Sequence, residues 1–160
     1  MYTAKIRTVG ESMARSTTEA RSFKIFMDEP PELGGLDGAA SPLEIILAAH
    51  GGCLSYMTFF IGKELGIDVQ GTEVEVQAAL DPGKFAGTNR EVRAGYQAVN
   101  VTIKVHADAS PEQLRKLQEE VEARCPVSDN ISQPTPVHIT VAAARILEIP
   151  ERLPGGAPAP

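Results

Sequence analysis

Residues 41–65 constrain the fold of this chain more than any other stretch. They read Ser41-Pro-Leu-Glu-Ile-Ile-Leu-Ala-Ala-His-Gly-Gly-Cys53 and continue Leu-Ser-Tyr-Met-Thr-Phe-Phe-Ile-Gly-Lys-Glu-Leu65. Ser41 suits an N-cap, Pro42 the first helical turn, and Gly66 the residue just past the end. The pattern predicts one apolar helix, roughly 36 Å long at 1.5 Å per residue, enough to cross a small domain. Glu44, His50 and two glycines interrupt the apolar run, and Lys63 and Glu64 close it. A buried helix of a soluble protein is therefore expected rather than a membrane span.

With 160 residues the chain has enough length for one proper core. Its formal net charge of −6, without a cluster of Lys and Arg, argues against a nucleic-acid surface. The N-terminus lacks a signal-peptide layout. Two cysteines without such a signal point to a reducing cytoplasm, where a static disulfide is uncommon.

Around the central helix, loose alternation over 3–9 predicts a first strand, and 10–18 reads as a polar turn. Residues 21–28 predict a second strand, half-buried through Phe23 and Ile25. Prolines and glycines make 29–38 a loop. Strands are expected over 67–80, 92–98 and 99–107, the last two as one long strand or a tight pair. In the first of these Val74, Val76 and Ala78 alternate with Glu73, Glu75 and Gln77. Ser110, Pro111 and Gln113 form a capping box that opens a helix through Arg124, with Leu114, Leu117 and Val121 inward. Cys125-Pro126 ends that helix or starts a new turn. Residues 137–149 predict a last strand. The order is that of an α+β domain with antiparallel sheets over residues 1–150, followed by a flexible Pro/Gly-rich tail over 151–160.

Cys53 and Cys125 lead the candidates for chemistry. They lie 72 residues apart, so only the fold can bring them together, and no local CxxC motif exists. With only His50, His106 and His138 beside them, no structural zinc site is expected, and no cofactor is called for. Each thiol can be read as a small buried apolar residue or as a reactive group. At 100° per residue, the helix face around Cys53 holds Ile46, Ala49, His50, Tyr56, Met57 and Phe60, a lining suited to an apolar ligand. Burial alone would raise the thiol pKa, so a reactive Cys53 needs a cation, from Arg15, Arg21 or His50. Gly51 and Gly52 each cost about 1 kcal/mol relative to Ala inside a helix, so a close approach to the helix is expected there. If Pro126 starts a short turn, Cys125 stands at its N-terminal end, where a thiolate is favoured.

The chain resembles the OsmC/Ohr family of thiol-dependent peroxidases. The resemblance rests on Asp28-Glu-Pro…Leu33-Gly-Gly, on Ser41 to Cys53, and on Cys125-Pro-Val-Ser128, and it spans about residues 3–149. It implies an intertwined homodimer with two long central helices packed between sheets. It further implies that Cys53 attacks an organic hydroperoxide and that Cys125 resolves the sulfenic acid to a disulfide, which an external dithiol reduces. An arginine, Arg21 in preference to Arg15, would hold the thiolate and the departing oxygen, and Glu44 would orient that arginine. His50, Tyr56, Met57 and Phe60 would line the substrate site. In the best-matched peroxidases the orienting Glu directly follows the helix proline, a position held here by Leu43. Glu44, nine residues before Cys53, falls about 180° around an ideal helix from the thiol. The Pro-x-Glu spacing instead resembles a less characterised branch of the family. A different class of function, a non-enzymatic binder of a small hydrophobic ligand at the dimer cleft, is the alternative.

Overall fold

The computed structural model describes residues 1–143. They form two compact units, one over Met1–Ile45, rejoined from His138, and one over Ile46–Val137.

The first unit is an antiparallel sheet in the order β1 (Ile6–Gly10), β2 (Ser16–Ala20) and β3 (Phe23–Met27). The expected first strand and the strand at 21–28 are β1 and β3. Between them lies a strand that the polar string Ser-Thr-Thr-Glu-Ala does not announce. Its pairing comes from both neighbours, with Thr8 opposite Thr18 and their hydroxyls 2.7 Å apart. Thr18 is buried, whereas Phe23 and Ile25, expected to be half-buried, are exposed. Arg21 turns the chain from β2 to β3 with a left-handed φ of 58°. The loop after β3 makes a single 3-10 turn at Pro31–Leu33 and wraps over the buried Asp28.

Helix α1 runs without a break over Pro42–Glu64. Ser41 and Glu44 close its start reciprocally: the carboxylate accepts from the Ser41 N–H (2.7 Å) and hydroxyl (2.8 Å), and the Ser41 hydroxyl oxygen accepts from the Glu44 N–H (3.3 Å). Gly66, with φ of 70°, ends it. By length and composition α1 could cross a membrane. In this fold His50, Leu54, Met57, Thr58, Ile61 and Gly62 are buried within the protein.

The second unit packs α1 with a two-stranded antiparallel sheet, β4 (Gly71–Ala79) and β5 (Ala98–His106), and with α2 (Pro111–Arg124) and α3 (Pro126–Ser132). Its core is Leu54, Met57, Ile61, Ile67, Leu117, Val121 and Cys125. The β4 alternation holds, with Val74, Val76 and Ala78 half-buried and the residues between them exposed. Residues 92–97 form bends rather than a strand, so of the expected pair only the second exists. Ser110 and Gln113 form the capping box of α2; Leu117 and Val121 are buried, and Leu114 is exposed. Residues 137–143 make no strand, and the rest of the expected 137–149 strand, like the 151–160 tail, lies outside the described residues.

The expected close approach at Gly51 and Gly52 is not where the tight contact falls. A Cβ on Gly51 would meet Val76 at 3.5 Å, ordinary contact, and one on Gly52 would meet nothing within 4 Å among the described residues. The tight position is Gly62, where a Cβ would stand 2.7 Å from the Val69 side chain as the chain doubles back after α1.

Candidate functional site

Cys125 occupies two positions at once. It is the C-cap of α2, its N–H bonded to the Val121 carbonyl, and the N-cap of α3, its sulfur accepting from the Ser128 N–H at 3.5 Å. Pro126 makes this abrupt change possible, because it cannot continue α2 yet suits the first position of α3. Both readings of Cys125-Pro126, end and new start, are realised. The result turns the Cys125 sulfur toward α1, where it lies 3.4 Å from the Cys53 sulfur. Both cysteines are free thiols. A disulfide requires a sulfur–sulfur distance of about 2.05 Å, so the pair has only ~1.4 Å left to close.

The two thiols are unequal. Cys125 is buried at 1% exposure, whereas Cys53 is half-buried. Burial pushes the Cys53 thiol up and its hydrogen bond with Cys125 adds to the rise, against a smaller opposing contribution from the Val127 N–H. Burial also acts against ionisation of Cys125. There the Ser128 hydroxyl, the Ser128 N–H, the Cys53 thiol and the Val127 N–H together outweigh it and hold the thiol below its ordinary value. The negative charge of a singly ionised pair therefore belongs on Cys125.

His50, one turn before Cys53, is the third member of this corner. Its Nε2 lies 2.8 Å from the Ser128 hydroxyl, 78 residues away in the chain. The ring is 6% exposed, its Nδ1 is buried without a hydrogen-bond partner among the described residues, and burial holds its pKa below the usual imidazole value. His50 and Ser128 also line a cavity of about 830 Å³ between α1, β5 and α2. Its walls include Leu54, Val101, Ile103, Leu114 and Val121, with Arg115 and Glu122 among its polar residues.

Of the four residues expected to line a ligand site, only His50 lines this cavity. Met57 is packed into the core at 8% exposure, whereas Tyr56 and Phe60 stack on each other (6.0 Å between centroids) on an exposed face. A single face drawn around Cys53 thus divides into a buried side and an exposed one.

The first unit holds the other named residues. Arg21 sits in the β2–β3 turn with its guanidinium 5.0 Å from the centre of the Phe23 ring. The Glu44 carboxylate is engaged in capping α1, and the helix is continuous, so no break rotates Glu44 toward the thiol face. A different arginine–carboxylate pair exists here. Arg15 Nε is 3.9 Å from Asp28, whose carboxylate also accepts from the N–H groups of Glu29 (2.9 Å), Leu36 (3.2 Å) and Gly38 (3.1 Å). Burial pushes the Asp28 carboxyl up, but these donors and Arg15 outweigh it and hold it below the usual range. Ser128 and Asp28 are the two residues here that the sequence does not single out. Both stand inside the quoted motifs, and the Cys-Pro-x-Ser spacing, which puts Ser128 at the third position of α3, was the available signal.

A family model described as OsmC-like protein matches residues 35–140. The chain belongs to the OsmC-like protein family. An OsmC-like protein from Mycoplasma pneumoniae has the same fold, with a TM-score of 0.71 at 17% identity over 82% of this chain and 88% of that one. The organic hydroperoxide resistance protein OsmC of Legionella pneumophila superposes with a TM-score of 0.60 at 20% identity, over 82% and 90% of the two chains. The organic hydroperoxide resistance protein OhrB of Bacillus subtilis does so with 0.54 at 21% identity, over 80% and 89%. No curated protein is significantly similar in sequence. At these identities the likeness establishes the fold of this OsmC-like protein, an α+β architecture with antiparallel sheets.

Proposed function

We propose that this OsmC-like protein is a thiol-dependent peroxidase that reduces organic hydroperoxides to alcohols. The observation that carries this reading is the pair of free sulfurs 3.4 Å apart, one reachable and one buried. The half-buried Cys53 is the sulfur a substrate can meet. It attacks the terminal oxygen of ROOH, the O–O bond breaks, and the departing RO⁻ takes up the proton shed by the Cys53 thiol as ROH. Cys53 is then a sulfenic acid, two electrons more oxidised. Cys125 attacks the sulfenic sulfur as its thiolate, forming the disulfide, and the hydroxyl leaves as water by taking up a proton equivalent to the one Cys125 released on ionising. An external dithiol restores both thiols by exchange. No cofactor takes part.

The relatives named for organic hydroperoxide resistance support this chemistry, and in this reading the protein works in the reducing cytoplasm, where such a dithiol is available. The working unit in this reading is a homodimer. Leu43, Ile46, Tyr56 and Phe60 on α1 are each at least 45% exposed, more apolar helix surface than a monomer ordinarily leaves in water.

A second reading has one observation in its favour. The apolar cavity reaches His50 and Ser128 but is lined by neither cysteine, as suits a protein that holds a small hydrophobic ligand without turning it over. One experiment separates the two. Reduced protein is given one equivalent of cumene hydroperoxide, and free thiols and alcohol product are counted, beside Cys53→Ser. Loss of both thiols with stoichiometric alcohol supports the peroxidase; retention of both thiols while the peroxide persists overturns it.

A further inference from the structure

We propose that His50 is a positioning residue for the dithiol: its Nε2–H holds the Ser128 oxygen, so that the Ser128 hydroxyl proton turns to the Cys125 sulfur. This rests on the reading of the Cys53–Cys125 pair as the reactive centre.

A neutral imidazole ring carries one N–H and one lone pair, and His50 stays neutral because it is buried. Its Nδ1 is buried without a partner among the described residues, whereas its Nε2 has the Ser128 hydroxyl at 2.8 Å. An orphaned buried N–H is rarer and more costly than an orphaned lone pair. The proton therefore resides on Nε2 and is donated to the Ser128 oxygen. A hydroxyl that accepts there keeps its own proton free for another acceptor, and Ser128 already touches Cys125, its N–H donating to that sulfur at 3.5 Å. The opposite tautomer would draw the Ser128 proton onto Nε2 and away from the sulfur. His50, Ser128, Cys125 and Cys53 thus form one chain of hydrogen bonds linking α1 to α3 and back to α1.

Other charged groups leave this assignment intact. Arg124 precedes Cys125, but its guanidinium is paired with Glu64 and Glu120. Asp129 in the first turn of α3 is exposed. Arg115 and Glu122 line the cavity that His50 also lines, and Cys53 is the titratable group in direct contact with Cys125. The functional consequence is an order of ionisation. Cys125 is the thiol that ionises more readily, ready to attack once Cys53 has become a sulfenic acid, and Cys53 is the one that holds its proton more tightly.

The test reads protonation, not turnover. In full-length reduced Cys53→Ser, where Cys125 titrates alone, ultraviolet thiolate absorbance is followed against pH. Adding Ser128→Ala should raise the midpoint by about one pH unit, the scale of one lost hydrogen bond to a thiolate. His50→Phe should raise it by about half as much, and His50→Gln, which can present an N–H at the Nε2 position, should restore the parent value. An unmoved midpoint in Ser128→Ala, or equal shifts in His50→Phe and His50→Gln, overturns the proposal. Nitrogen NMR of the unsubstituted reduced protein supplies a readout that needs no variant: a proton on His50 Nε2 is expected, and a proton on Nδ1 overturns it. No peroxide enters these measurements. Failure to consume peroxide would sink the peroxidase reading alone, and an unmoved titration would sink the His50 assignment alone.

Discussion

Asp28, in the loop after β3, and Cys125, at the head of α3, are each 1% exposed, and burial resists ionisation of both. Both are nevertheless held on the ionised side of their ordinary values, by different means. Around Asp28 three backbone N–H groups converge from Glu29, Leu36 and Gly38, with Arg15 behind them. Those donors are part of the loop's own conformation, so the ionised carboxylate and the loop stand or fall together. Around Cys125 the main side-chain donor is a hydroxyl free to rotate, oriented by an imidazole on another helix. Backbone donors make a structural anion. A side-chain relay makes an adjustable one, which is what a group that must change charge during a reaction needs. Cys53, with burial and Cys125 against it, is held on the protonated side of its ordinary value.

If the comparison holds, substitutions at the dithiol cost activity and substitutions around Asp28 cost stability. The largest effect is expected for Cys53→Ser, which should lower the rate of cumene hydroperoxide consumption by at least about a hundredfold and leave the urea midpoint unchanged. Cys125→Ser should still consume one equivalent of peroxide and then stop, with a sulfenic acid trapped at Cys53 by dimedone. Continued turnover without Cys125 would remove it from the cycle.

Gly35→Ala comes next. A Cβ at Gly35 would lie 1.6 Å from the Glu29 carbonyl oxygen, a backbone overlap that only movement of the Asp28 loop can relieve. A loss of about 3 kcal/mol in urea unfolding is expected. Asp28→Asn should cost about 2 kcal/mol at neutral pH, because it removes a charged acceptor and turns an amide donor toward N–H groups. The sign with pH follows from the lowered folded-state pKa of Asp28. The stability it contributes is fully present above the unfolded carboxyl value of about 3.9 and is lost as pH falls through the folded value. The difference between wild type and Asp28→Asn should therefore shrink in acid; a constant difference would show that the Asp28 charge contributes nothing. The smallest effect is a gain. Gly52→Ala, facing open space within α1, should stabilise by roughly 0.5–1 kcal/mol. A loss there would reveal a neighbour on that face of α1.

Much of the fold was legible because it is written locally. The cap at Ser41, the stop at Gly66, the capping box at Ser110 and Gln113, and the alternation of β4 each depend on residues a few positions apart. What misled was local signal overruled by neighbours. Ser16–Ala20 lacks apolar alternation, yet two flanking strands recruit it through Thr18. Residues 92–97 carry apolar side chains but end in bends, and the Gln97 N–H bonds the Ala79 carbonyl just before β5 begins. The Glu44 carboxylate is taken by its nearest polar group, Ser41 three residues back, and not by a distant arginine.

The central helix and the α+β order are written along the chain, because propensity, capping and pattern act over one or two turns, and the two cysteines stand out through the motifs that carry the family resemblance. Tertiary structure alone decided that Cys53 and Cys125 meet across 72 residues, that Ser128 and His50 meet across 78, and which side of α1 is core. The physical reason is that a thiol's charge depends on who stands within about 3.5 Å of it. No pattern along the chain encodes a distance between residues that only the packing of α1, α2 and α3 brings together.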